Sequence, residues 1–343
     1  MKYPLLFAVF FGVLSAHTQA QDMHFSQFYA DGLRMNPAAT GNFNGDYRIG
    51  LNVKNQWRTV PAPYNTGSIY ADFVPYRKAT RRGIQSWLGT GINLLYDQAG
   101  NGNLSALEAR ATAAFHFAFS PNLYASVGGA ATYRQRSIDF SRLYFGNQWT
   151  EAGGFDTSLP NLENGGQQSI SYLDLAAGAN LTLQVPQSYN VYLGASLAHL
   201  NQPVESFTNL DNRLGTRLSL NAGGSIRLPR LTLEPAFYYS TQKKASEWVL
   251  GTNLVFGDAN NNARYTPQKT PFRFYAGIWY RFNDALIPLV GTEWKRYRLL
   301  LTYDINLSAL QTASGSRGGF ELSLVHVGAF KKRKTTPVYC PRF

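Results

Sequence analysis

Runs of about ten residues in which apolar and polar side chains alternate recur along most of this 343-residue chain, and they leave few folds open. The clearest sets Leu299, Leu301, Tyr303, Ile305 and Leu307 against Arg298, Thr302, Asp304 and Asn306. Another sets Leu107, Ala109, Ala111, Ala113, Phe115 and Phe117 against Glu108, Arg110, Thr112 and His116. A third sets Leu218, Leu220 and Ala222 against Arg217, Ser219 and Asn221. A period of two is that of a strand with one apolar and one wet face. Soluble sandwiches alternate as well, but their strands are usually shorter, and about ten residues is the length a tilted strand needs to cross a bilayer. Beyond Gln21 no apolar run reaches the roughly 18 residues of a spanning helix.

The pattern places strands near residues 46–54, 64–74, 86–96, 104–117, 122–134, 170–184 and 188–200. It continues at 214–227, 231–241, 246–256, 271–282, 285–294, 297–307 and 318–328. The expected fold is all-β, a transmembrane antiparallel β-barrel of about 14 strands in an outer membrane, with both barrel ends on the periplasmic side. Short turns at Ser120-Pro121-Asn122, Val185-Pro186-Gln187 and Pro229-Arg230 then face the periplasm. The longer connections Gln135 to Ser169, Asn201 to Arg213 and Ser308 to Arg317 face outward. Gly257 to Thr270 dissents, being long yet assigned to the periplasmic side.

Residues 1–20 read as a secretory signal: a charge at Lys2, an apolar run from Tyr3 to about Ala16, then Thr18 and Ala20 where a signal peptidase could cut. No Cys stands at that junction, which argues against a lipoprotein. The remaining organisation is an N-terminal periplasmic or lumen-associated arm at 21–45, a barrel at 46–330 and a basic periplasmic tail at 331–343. With 22 Phe and 21 Tyr the chain is rich in the aromatics that line membrane interfaces. Its net charge of +12 would attract anionic lipid or acidic proteins. An exported chain without a nucleic-acid module gives no reason to expect nucleic acid as a partner.

The segment Gln21 to Gly41, QDMHFSQFYADGLRMNPAATG, resembles the mature start of the PorP/SprF family. The resemblance extends through RIGLNVKNQW from Arg48, YNTGSIYADF from Tyr64, GGFELSLVHVGAF from Gly318 and the closing Cys340-Pro341-Arg342-Phe343. It implies an outer-membrane barrel associated with type IX secretion and gliding motility in Bacteroidota. It also implies periplasmic type IX secretion components as partners and, for some members, a secreted or adhesin client, beside outer-membrane lipids. The expected role is a scaffold at that machinery; the alternative is a channel passing small solutes, anions among them.

Candidate partner-binding residues follow from the segments that a plain barrel does not need. Phe25, Phe28, Tyr29, Asn36 and Pro37 make the arm either a plug that fixes a partner or closes the pore, or an arm packed against the barrel mouth. Arg77, Lys78, Arg81 and Arg82 in an expected periplasmic turn, with Lys331, Lys332, Arg333 and Lys334 after the last strand, form two basic clusters able to dock an acidic partner. Cys340, Arg342 and Phe343 belong to the resembling tail, and the lone Cys340 has no internal disulfide partner. Trp149 and Phe155 lie in the long outer connection, where contact surfaces are common. Arg48, Asp72, Glu108, Arg110, Arg134, Asp174, Arg217, Arg273 and Arg281 point to the lumen, as a selectivity ladder or, preferably, as neutralised pairs filling it. Neither a metal-ligand spacing nor a nucleophile elbow nor a phosphate loop is present, so neither an enzyme nor a cofactor is expected.

Overall fold

A computed structural model describes residues 25–56, 64–80, 83–100, 104–150, 154–156, 158–160, 168–186, 188–207, 211–257, 272–308 and 317–330. The first barrel strands are β1 (Tyr47–Gln56), β2 (Tyr64–Thr80), β3 (Gly83–Ala99), β4 (Leu104–Ala118) and β5 (Leu123–Ser137). A two-residue hairpin follows, β6 (Trp149–Thr150) and β7 (Gly154–Phe155). The barrel resumes with β8 (Ser169–Val185), β9 (Tyr189–Ala198), β10 (Arg217–Arg227), β11 (Leu231–Gln242) and β12 (Ala245–Phe256). It ends with β13 (Arg273–Arg281), β14 (Ala285–Trp294), β15 (Tyr297–Asn306) and β16 (Arg317–Gly328).

Each barrel strand pairs antiparallel with its neighbours in sequence, β5 lies against β8, and the barrel closes where β1 meets β16 from Tyr47↔Gly328 to Gln56↔Gly319. Closure satisfies the edge groups that would otherwise face lipid unpaired. The alternation seen in the sequence becomes two surfaces. Along β15, Leu299, Leu301, Tyr303 and Ile305 turn outward while Leu300, Thr302, Asp304 and Asn306 are buried inside. Along β4, Leu107, Ala111, Ala113 and Phe115 are exposed and Glu108, Arg110, Thr112 and His116 are buried.

Outward aromatics gather toward both rims, as a membrane protein's interface belts require. Phe73, Tyr76, Phe115, Phe256, Phe274 and Trp294 lie near the rim that carries the barrel's first and last strand ends, here the terminal rim. Tyr96, Tyr133, Trp248, Tyr280, Tyr303 and Phe320 lie toward the opposite rim. Between them run Ile69, Ile92, Val127, Leu175, Leu193 and Val290. The fold is thus an outer-membrane-type barrel.

The largest departure from the sequence expectation is at the end of β2. Arg77 and Lys78 lie within β2 and not in a turn, because pairing with β3 continues past a shift in register after Phe73, as Arg77↔Trp87 and Lys78↔Ser86. A one-residue irregularity breaks the alternation there, so the sequence pattern ends early although the ladder does not.

Candidate functional site

The segment 25–46 folds inside the barrel. Its residues do not alternate, and Asn36-Pro37 favours a tight turn. The backbone accordingly makes single helical turns at Phe28–Asp31, Gly32–Met35 and Pro37–Ala39. The Asn36 side chain caps the last of these by accepting from the Ala38 backbone N–H at 2.9 Å. Short turns allow the segment to cross the lumen as a compact body whose backbone groups bond to the walls.

The segment enters near the rim opposite the barrel termini. Ser26 and Gln27 donate their backbone N–H groups to the Glu321 carboxylate at 2.7 and 2.9 Å. The Ser26 hydroxyl donates to Asp304 at 2.8 Å and accepts from Lys54 at 3.1 Å and Arg281 at 2.9 Å. Arg281 also binds Asp304 at 2.7 Å, so the charges of this cluster are paired. Lower in the lumen, Phe28 stacks on Tyr238 at 5.2 Å and meets Trp279 edge-on at 5.7 Å. Tyr29 lies 4.9 Å from Trp279. Val249, Val255, Ile287, Leu289 and Leu300 complete this apolar cluster.

Across the lumen the contacts are polar. Asp31 accepts from Ser68 and Asn93, both at 2.9 Å, and Tyr70 donates to the Ala30 carbonyl at 2.5 Å. Burial pushes the Asp31 carboxyl above its usual range. Arg34 binds Glu108 at 2.5 Å, and Arg134 bridges Glu108 and Asp174 at 3.5 and 3.6 Å. Asn36 donates to the Ala179 and Ala195 carbonyls and to the Asn221 side chain. Thr40 bonds to Thr112, and its carbonyl lies 2.7 Å from His116 Nε2. Gly41 donates to Asp72, itself held by the Arg48 fork at 2.9 and 2.8 Å. The chain leaves the lumen at the terminal rim, where Asp46 donates to the Gly328 carbonyl and continues into β1.

Wall glycines admit this body, Gly128 and Gly178 among them. A Cβ on Gly128 would meet the Pro37 carbonyl and the Ala38 nitrogen, and one on Gly178 would strike the Asn36 side chain. Below the segment, toward the terminal rim, the lumen keeps cavities of ≈ 400 and ≈ 320 Å³. Trp87, His116 and Tyr124 line the first; Tyr29, Tyr192, Glu234 and Arg298 line the second.

Phe25, Phe28, Tyr29, Asn36 and Pro37 therefore come together inside the lumen, not at its mouth. Arg77 and Lys78 sit exposed at the terminal end of β2, where Arg77 lies 3.8 Å from Asp46 and donates to the Gly45 carbonyl. Trp149 and Phe155 lie beyond the opposite rim, on the β6–β7 hairpin, exposed and in ring contact at 5.0 Å, with Tyr144 5.2 Å from Phe155. Arg81, Arg82, Lys331, Lys332, Arg333, Lys334, Cys340, Arg342 and Phe343 fall outside the described residues. Most of the lumen-facing charges form pairs, Arg48–Asp72, Arg34–Glu108–Arg134, Arg281–Asp304 and Arg273–Glu293, while Arg110 Nε and Nη2 find no hydrogen-bond partner among the described residues. Ser26, Lys54, Asp304 and Glu321 were not among the candidates; inward position on a strand marks the last three, but nothing local marks what they bind. Among the described residues no group of His, Cys, Asp and Glu could hold a metal ion.

A family model described as type IX secretion system membrane protein PorP/SprF matches residues 17–326. No curated protein matches the sequence significantly. Among solved structures, the translocator domain of autotransporter NalP from Neisseria meningitidis is 10% identical with a TM-score of 0.41, over 88% of this chain and 95% of that one. The Pseudomonas putida toluene transporter TodX is 10% identical with a TM-score of 0.49, over 86% of this chain and 92% of that one. The CymD monoaromatic hydrocarbon channel is 12% identical with a TM-score of 0.47, over 88% and 93%.

Proposed function

Because the chain belongs to the PorP/SprF family of type IX secretion system membrane proteins, we propose that it is a closed outer-membrane anchor for that machinery and for one of its exported clients. Family and fold are those of a secretion-system barrel and not of an enzyme. The observation that carries the reading is the segment 25–46, bonded to both walls of the lumen, together with the pairing of most lumenal charges. A conduit for solutes needs an open path and weak, repeated sites; a lumen crossed by a hydrogen-bonded body suits a fixed support.

In this reading residues 1–20 are a cleaved export signal and the terminal rim faces the periplasm. The basic residues Arg77, Lys78, Arg81, Arg82 and Lys331 to Lys334, with the tail through Cys340, Arg342 and Phe343, engage type IX secretion components there. On the outer side, the exposed aromatics Tyr144, Trp149 and Phe155 hold the secreted or adhesin client.

The test is a tag in the outer connection, gentle extraction of the outer membrane and mass spectrometry of what co-purifies, paired with conductance in planar bilayers. Recovery of secretion components or one large exported protein, with a silent barrel, is the expected result. A barrel that purifies alone and conducts small anions would replace the anchor by the channel.

A further inference from the structure

Two populations of inward polar side chains divide the lumen. Those level with the inserted segment, such as Asp72, Thr112, Ser126 and Ser196, are bonded to it. Nearer the terminal rim, on β8, β10 and β11, the side chains of Thr182, Gln184, Ser225 and Glu234 make no hydrogen bond or ion pair with any described residue. The register sets this second population in rows. Gln184, Asn190 and Ser225 are neighbours across β8, β9 and β10, and Thr182, Tyr192 and Gly223 form the next row.

These side chains line the cavities of ≈ 400 and ≈ 320 Å³, which meet at Asn42, Thr182 and Asn190. The larger cavity reaches the terminal rim at the turns that carry Pro121 and Pro186, and the smaller extends up to Tyr29 and Trp279. Small-ligand sites have about this room, roughly 300–1,000 Å³, with a few polar groups converging on the occupant. The lining asks no charge of that occupant. Arg48, Arg298 and Arg77 pair with Asp72, Glu293 and Asp46, and Glu234 acts on Arg298 as the opposite charge. Amides and hydroxyls that both donate and accept match sugar hydroxyls, which do the same. The rings of Trp87 and Tyr124 near the rim, and of Tyr29 and Tyr192 further in, offer flat apolar surface to the C–H faces of pyranoses. A peptide strand would pair with a free sheet edge, and the closed barrel has none.

We infer that the two joined cavities form a site for a short uncharged oligosaccharide that enters from the terminal rim, its hydroxyls met by Thr182, Asn190, Ser225 and Glu234.

The test is calorimetric titration of the full barrel, in a detergent without a sugar headgroup, with chitotriose, maltotriose and, as the contrasting class, a tri-alanine peptide. Saturable binding of at least one sugar is expected. Thr182→Val, which exchanges the hydroxyl for a methyl group, should weaken it about tenfold, and Asn190→Leu, which puts an apolar branch where the cavities meet, should abolish it. Arg142→Gln, in the exposed outer connection, should leave it unchanged. No saturation by either sugar overturns the proposal, as does binding that survives both lumenal substitutions or a peptide bound as tightly as the sugars. Wild-type crystals soaked in the bound sugar decide the question even if a variant fails to fold: ring density between Thr182 and Glu234 is expected, and sugar found only outside the lumen is the contrary result.

Discussion

Below the Ser26 cluster, the wall formed by β11–β15 and the wall formed by β2–β9 grip the same inserted segment mainly by opposite means. The first offers Tyr238, Val249, Trp279, Ile287 and Leu300 to Phe28, with Tyr29 and Met35 packed alongside. Such contact is strong per residue, about 1.5–3 kcal/mol for a fully buried large side chain, but tolerant of small displacements. The second offers Asp72, Asn93, Glu108, Ser126 and Ser196, each aimed at one atom of the segment. A single hydrogen bond adds only about 0.5–1.5 kcal/mol net, but leaving its buried partner unmet costs more, so this wall fixes position. The difference teaches that holding the segment and registering it are separate tasks, assigned to separate arcs of the barrel.

Removing the segment altogether should have the largest effect. Deletion of residues 25–45 is expected to turn a silent barrel into a conducting one, read as single-channel current in planar bilayers; continued silence would mean that other parts of the chain close the lumen. Next, Glu321→Leu strands two buried backbone N–H groups at the segment's upper end and takes a carboxylate away from beside Lys54, a loss of about 3–5 kcal/mol. Hydrogen exchange should then quicken at residues 25–28 while 36–41 stay protected. Phe28→Ala should weaken the apolar grip by about 3 kcal/mol, with faster exchange spread over 28–35 and no change of register.

Asn36→Ala should cost about 1–3 kcal/mol, confined to 36–41, because Asn36 meets β8, β9 and β10 at once. If Phe28→Ala and Asn36→Ala loosen the same residues to the same degree, the two walls do not divide their work as described. The smallest effect lies outside the lumen. Asp139 and Asp156 in the outer connection accept from Ser141 and Ser158, which hold both carboxyls below their usual range. The order they lend is present above the unfolded-state value and fades as pH falls through the lowered one. Carboxyl-carbon NMR titration would show normal values if these turns do not persist.

Strand order, strand number and the two faces of the barrel were legible because a bilayer enforces a strict period of two on ten-residue runs. Leu299 to Leu307 is enough to read one strand's outer face. The pattern failed at Arg77 and Lys78 because a register shift after Phe73 moves the alternation without ending the pairing. The inserted segment was legible only as an exception, aromatic and not alternating. Its place inside the barrel depends on partners such as Glu321, 295 residues beyond Ser26, and no local pattern encodes a contact at that separation. Gly128 and Gly178, inward on strands otherwise lined by larger side chains, are the traces that such an insertion leaves in a sequence.

The upper cluster also bears on how the cylinder is sewn shut. β1 and β16 come from opposite ends of the chain, so their pairing closes the longest loop in the molecule and is the entropically dearest contact to form. Lys54 belongs to β1 and Glu321 to β16, and Ser26 touches both. The inserted segment is therefore a stitch across the seam. Parting β1 from β16 sideways into the lipid requires undoing that stitch first, and a barrel with its segment seated is latched against lateral opening.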